Sequence, residues 1–166
     1  MCSYQNGISL HEPIRAYAAV NKTQQQLEKS ASGGAFSAVA TYFLKNESVV
    51  YGAALDFEGG HPIAHLVGID DASQLWRLQG SKYVQSAVEQ TYKQAKQNLD
   101  AGKKVLFSGT PCQIAGLYGY LKKEYANLWT IDVICHGVPN LKFFDDYLSI
   151  EAVSYTHLTL PTILRV

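Results

Sequence analysis

Fourteen basic and fourteen acidic side chains cancel in this 166-residue sequence, and Lys and Arg never run beyond a pair. The electrostatic footprint that nucleic acid or an anionic membrane surface requires is therefore missing. Long apolar runs are missing too. Stretches such as Val49 to Leu55 fall far short of the roughly 20 residues that cross a bilayer, so no membrane span is expected. The N-terminal Met1 to Gly7 has neither the basic nor the apolar region of a secretory signal, which points to a cytoplasmic location. Cysteine is scarce and odd in number, with three at Cys2, Cys112 and Cys135. In a reducing compartment such thiols read as free groups, ligands or nucleophiles rather than as a disulfide framework. Small molecules and protein partners remain as candidate ligands.

What is present suits one ordinary globular domain: 47% of residues are hydrophobic and 17% charged, enough for a core and too apolar for disorder. Residues 16–20 and 48–55 have extended character. Between them Ser32-Gly33-Gly34 precedes an apolar helical pattern through Leu44, so the order reads strand, glycine turn, helix, strand. Ser86 to Glu89 has capping-box spacing and predicts a polar helix running to Asp100, with Gly102 as its C-cap. A buried strand is expected over Val105 to Ser108. Thr110-Pro111-Cys112-Gln113 then combines an N-cap, a proline at the first helical position and a glutamine at the third, predicting a helix to about Tyr125. Leu128 to Ile134 reads as a strand, and Leu141 to Ile150 as a helix after the Gly137-Val138-Pro139 turn. The order α-β-α-β-α over 86–150 implies parallel strands with right-handed crossovers. The fold class expected is α/β, a mostly parallel sheet flanked by helices and incomplete at its C-terminus.

The last residues fit this pattern poorly. Val153 to Thr162 is a β-branched run attached to a helix, and the string resembles the translation of a transposon end used in preparing sequencing libraries. The native frame is expected to stop near Ala152, with 1–152 a partial domain and 153–166 a non-native tail. The alternative is a natural edge strand.

Two of the thiols have informative surroundings. Cys112 falls in the first turn of a predicted helix, where unpaired N–H groups and the helix dipole favour negative charge and so a thiolate. Cys135, followed by His136 and Gly137, falls at the carboxyl end of the next strand. Consecutive parallel strands end beside one another, and ligand crevices form there. Each cysteine taken singly is as readily a small buried hydrophobe. Gly109, Gly116 and Gly137 would allow a bulky group close to the backbone, or serve as turn and packing glycines. The turn Ser30-Ala31-Ser32-Gly33-Gly34 offers hydroxyls and N–H groups to a phosphate or a flavin edge, although most such turns are caps. Gly80-Ser81-Lys82-Tyr83-Val84-Gln85-Ser86 sets a cation, a ring and hydroxyls before a helix, which suits an anionic planar cofactor. It equally suits a solvated lysine and a core-edge ring.

Four segments in this order, Lys29 to Gly34, Gly80 to Ser86, Phe107 to Leu117 and Asp132 to Pro139, resemble the family of coenzyme F420 hydrogenase and dehydrogenase beta subunits over roughly residues 14 to 150. The resemblance implies an α/β domain that binds FAD beside a 4Fe-4S cluster and passes electrons between coenzyme F420 or a ferredoxin-linked donor and other redox subunits. It makes Cys112 and Cys135 candidate cluster ligands. Ser30, Ser32, Gly33, Gly34, Gly80, Ser81, Lys82, Tyr83, Thr110 and His136 become candidate cofactor contacts. Two departures stand out. A cubane takes four thiolates and the sequence has three cysteines. The Cys-x-x-Cys-x-x-Cys module that precedes this region in many relatives does not occur here.

Two other readings use the same residues. Cys112 with His136 as base would make a nucleophilic group-transfer enzyme. A nucleotide-binding domain without catalysis, acting as a scaffold in a larger complex, is the third.

Overall fold

The computed structural model describes residues 13–154. Four strands form one sheet in the order β2-β1-β3-β4, with β1 spanning Ser48–Glu58, β2 His61–Ile69, β3 Lys104–Gly109 and β4 Leu128–Asp132. β1, β3 and β4 run parallel, whereas β2 is antiparallel to β1. The helices are α1 (Gln24–Glu28), α2 (Ala35–Leu44), α3 (Thr91–Asp100), α4 (Pro111–Leu121) and α5 (Leu141–Ser154), with a 3-10 helix over Ala72–Arg77. The α/β class with a mostly parallel sheet is as the sequence predicts.

The sheet is covered on both faces, which explains why β3 reads Val-Leu-Phe-Ser-Gly without alternation: each of these residues is buried. On one face Val49, Tyr51, Leu66, Val105 and Phe107 pack against Ala95 and Leu99 of α3 and against Ile114, Leu117 and Leu121 of α4. On the other, Val50, Ile69 and Leu106 meet Ala40 and Leu44 of α2 and Leu75 and Leu78 at the 3-10 helix. Helices α2, α3 and α4 each bury residues three or four apart, as an amphipathic stripe must.

Several sequence expectations need correction. Residues 16–20 form no strand; the segment is irregular and exposed, tied down by Asn21 N–H donating to the Gly33 carbonyl at 2.7 Å. The strand β2 was not anticipated, although Gly59-Gly60 announces it. Both glycines have positive φ (58° and 87°), the type I′ hairpin requirement. The helix expected from Ser86 starts at Thr91 instead, because the backbone at Ala87 pairs with β2: its N–H donates to Ala64 O and its carbonyl accepts from Leu66 N–H, both at 2.8 Å. Helix α4 stops at Leu121 rather than near Tyr125, since Lys122 turns left-handed (φ 57°), and Tyr125 bonds Asp100 through its hydroxyl at 2.7 Å. Strand β4 ends at Asp132, leaving Val133 to Asn140 as a loop. Cys2 and the tail beyond Ser154 lie outside the described residues.

Candidate functional site at the carboxyl edge of the sheet

The parallel register fixes where the two cysteine-bearing loops leave the sheet. Gly109 at the end of β3 pairs with Asp132 at the end of β4, and Val133 N–H donates to the Gly109 carbonyl at 3.0 Å. Cys112 and Cys135 each follow three residues beyond one of these paired positions. Both are free thiols, Cys112 exposed and Cys135 half-buried. Cys112 lies in the first turn of α4, its sulfur 3.1 Å from the Thr110 hydroxyl. Asp132 beside them has its carboxyl pushed up by burial.

The other two motif segments are bonded to the same edge. The carboxamide of Gln113 donates to the Ser86 carbonyl at 3.3 Å, and Gln85 N–H donates to the Pro139 carbonyl at 3.1 Å. The segment 80–86 therefore touches both the Cys112 helix and the loop that carries Cys135. From its other end, Gln79 donates to the Ser37 hydroxyl at 3.1 Å, and Ser37 lies 3.2 Å from the Ser30 hydroxyl. All four segments that the sequence singled out thus converge through residues 79–86.

Within the Ser30 to Gly34 turn, roles divide. Ser30 donates inward to the Gln26 carbonyl at 2.7 Å. A Cβ at Gly33 would stand 2.6 Å from the Ala19 carbonyl oxygen, and Gly34 has a left-handed φ of 71° as the N-cap of α2, so both positions require glycine. Ser32 is exposed. In the Gly80 segment, Gly80, Ser81 and Tyr83 are exposed, but Lys82 is not a solvated charge. Its ammonium donates to the carbonyls of Arg77, Gln79 and Gly80 at 3.0, 2.6 and 3.3 Å, clamping the end of the 3-10 helix. Burial pushes it down to about 8, with the Asp56 carboxylate opposing that shift.

Gly109 and Gly116 turn out to have packing roles. A Cβ at Gly109 would stand 3.1 Å from the Gln113 side-chain oxygen, and one at Gly116 would stand 2.7 Å from the Tyr92 hydroxyl. Tyr92 donates that hydroxyl to the Gln113 carbonyl at 2.6 Å. Burial raises its phenol, and the proximity of Cys112 adds to the rise. Gly137, at φ 134°, has open space around it. His136 is exposed, and among the described residues no hydrogen bond joins it to Cys112, whose polar contact is with Thr110.

One group was missed from sequence. Asp56 on β1 accepts from His65 on β2 and from Arg77, each at 2.8 Å, and these bonds, that of His65 foremost, hold its carboxyl below the usual range. The signal was the Gly59-Gly60 turn, which sets Asp56 diagonally across from His65 in the hairpin register. Two shallow grooves, about 270 and 340 Å³, lie at the opposite, amino end of the parallel strands around Asp70 and Lys103, away from the four segments. No described helix is long and apolar enough to cross a membrane.

The family model that describes the C-terminal part of the coenzyme F420 hydrogenase/dehydrogenase beta subunit matches residues 102–160, which take in β3, α4, β4 and both cysteine loops. Among solved structures, the fold is similar to a chain of the F420-reducing NiFe hydrogenase complex from Methanosarcina barkeri, with a TM-score of 0.64 at 16% identity. The match covers 92% of this chain and 58% of that one, so this chain spans little more than half of that relative's length. Nothing among curated protein sequences matches. Over residues 102–160, the chain is similar to the C-terminal part of the coenzyme F420 hydrogenase/dehydrogenase beta subunit family.

Proposed function

We propose that this chain is part of an electron-transferring oxidoreductase subunit that holds FAD beside a 4Fe-4S cluster, with Cys112 and Cys135 as two of the cluster's thiolates. The observation that carries the reading is the register Gly109 with Asp132, which sends two free thiols out of the same sheet edge on neighbouring loops. Crevices at the carboxyl ends of parallel strands are where open α/β sheets bind ligands. A cubane takes four thiolates. The described residues offer two, and no group of three or more His, Cys, Asp and Glu side chains that could hold a metal ion occurs among them. The other ligands would come from chain outside the described residues.

For the flavin, the exposed Ser32, Gly80, Ser81 and Tyr83, with Thr110 and His136 nearer the cysteines, are the groups open to contact. Ser30, Gly33, Gly34 and Lys82 shape the segments that present them, through the inward bonds of Ser30 and Lys82. Bound there, FAD and the cluster would supply two-electron and one-electron chemistry, and the protein would supply their relative placement. The donor proposed is coenzyme F420 or a ferredoxin-linked carrier, and the partners are further redox subunits. The neighbour from Methanosarcina barkeri comes from an F420-reducing hydrogenase complex, which supports that choice. Residues 153–166 are proposed to be adaptor-derived.

The test is to read the source gene past the codon for Ala152 and to purify its complete product without oxygen. Two or more further cysteines are expected, with flavin and iron bound together. A complete product carrying neither cofactor would remove the reading and favour a non-catalytic domain.

A further inference from the structure

We infer that Gln113 is a positioning residue that clasps the Cys112 turn to the Cys135 loop, through residues 85 and 86, so that the two thiols are presented as a pair. The inference rests on the reading of Cys112 and Cys135 as joint ligands, and adds what holds them together. A glutamine at the third position of a helix ordinarily serves one purpose, to accept from the N-cap N–H. Gln113 does this, its Oε1 accepting from Thr110 N–H at 3.0 Å. Its Nε2 then donates outward to the Ser86 carbonyl at 3.3 Å, and its own carbonyl accepts from the Tyr92 hydroxyl at 2.6 Å. The residue before Ser86, Gln85, donates through its N–H to Pro139 O at 3.1 Å, four residues beyond Cys135. The room for the side chain comes from Gly109, where a Cβ would meet Gln113 Oε1 at 3.1 Å and Cβ at 3.3 Å.

This arrangement separates two roles that usually travel together. A capping box accepts Glu as well as Gln, because only the acceptor oxygen matters. The clasp needs the amide N–H₂ as well, since a carboxylate at 113 would set an oxygen against the Ser86 carbonyl. Gln113→Glu therefore keeps the cap and opens the clasp.

The experiment uses the 166-residue chain with Cys2→Ser, which leaves Cys112 and Cys135 as its thiols, and dibromobimane, which fluoresces once both of its arms are alkylated. Two C–S bonds form, two C–Br bonds break, and two bromides and two thiol protons leave, with no change of oxidation state. The first alkylation reports reactivity, and the second reports how closely the other thiol is held. Expected are ready ring closure in the parent and a second step slowed at least about tenfold by Gln113→Glu, or about 1.4 kcal/mol, in a protein that still unfolds cooperatively. Equal closure rates in a folded Gln113→Glu would overturn the inference while leaving the paired thiols standing. Fluorescence in the parent no greater than in Cys112→Ser or Cys135→Ser would remove the pairing itself, and with it the joint-ligand reading. If Gln113→Glu folds poorly, Gln113→Met removes the donor to the Ser86 carbonyl without setting a charge against it. A slower second step there supports the inference, and an unchanged one overturns it.

Discussion

Replacing Gly116 by alanine should destabilise the protein, against the usual rule for helices, and the sign should reverse once the Tyr92 hydroxyl is removed. Gly116 lies inside α4, where alanine is ordinarily better by about 1 kcal/mol. Here the added Cβ would stand 2.7 Å from the Tyr92 hydroxyl, while the ring carbons Cε2 and Cζ are at 3.4 Å. The hydroxyl must move, which breaks its 2.6 Å bond to the Gln113 carbonyl, a loss of about 0.5–1.5 kcal/mol. Tilting the ring also disturbs its packing on Phe107, 5.9 Å away, and overpacking of this kind costs about 1–3 kcal/mol. Against the propensity gain, a net loss of about 0.5–3.5 kcal/mol is expected. In Tyr92→Phe the offending atom is absent and the remaining contacts are ordinary, so Gly116→Ala should stabilise by close to the full propensity difference. The coupling is thus about 1.5–4.5 kcal/mol, well within reach of a double-mutant cycle. Urea unfolding followed by circular dichroism measures it. Equal effects of Gly116→Ala in the two backgrounds would refute the claim that Tyr92 is what makes residue 116 a glycine.

Two further outcomes follow from the charged cluster and the hairpin. Because the folded Lys82 is pushed down to about 8 from its usual 10.5, the unfolded chain holds more protons between those values, and stability should rise with pH across that window. The three carbonyl bonds favour the ammonium and temper the effect, so a rise of about 1–2 kcal/mol is expected. It should be absent in Lys82→Met; matching pH profiles for the two proteins would refute the assignment. Gly60→Val places a β-branched residue at φ 87° in the β1–β2 turn, where a Cβ meets nothing, so backbone strain alone should cost about 1–3 kcal/mol, read as a lower melting temperature. An unchanged melting point would mean that the turn relaxes without penalty.

The α/β order of residues 91–150 was legible because each element announces itself locally: Gly102 after α3, the Thr110-Pro111-Gln113 start of α4, and a β3 apolar on both faces. That the two thiols share an edge was also legible, since it needs only parallel strands and their order. What failed was the backbone at Ser86 to Gln90. Its capping-box spacing is genuine, but the segment satisfies its hydrogen bonds on β2, a strand that had not been recognised. Missing the Gly59-Gly60 hairpin therefore cost the pairing at Ala87 and the Asp56, His65 and Arg77 cluster together. The inward turn of Lys82 was beyond sequence reasoning of any kind. A lysine beside a glycine reads as exposed, and only the three-dimensional course of residues 77–80 brings their carbonyls around its ammonium.

The joint role of Cys112 and Cys135 is the centre of this account. Iron and acid-labile sulfide, measured per chain in the complete gene product prepared without oxygen, test it most directly when the parent is compared with Cys112→Ser, Cys135→Ser and Cys2→Ser. The prediction is iron and sulfide in the parent and in Cys2→Ser, with most of both lost in each of the other two variants. Full iron retained by either Cys112→Ser or Cys135→Ser would contradict it.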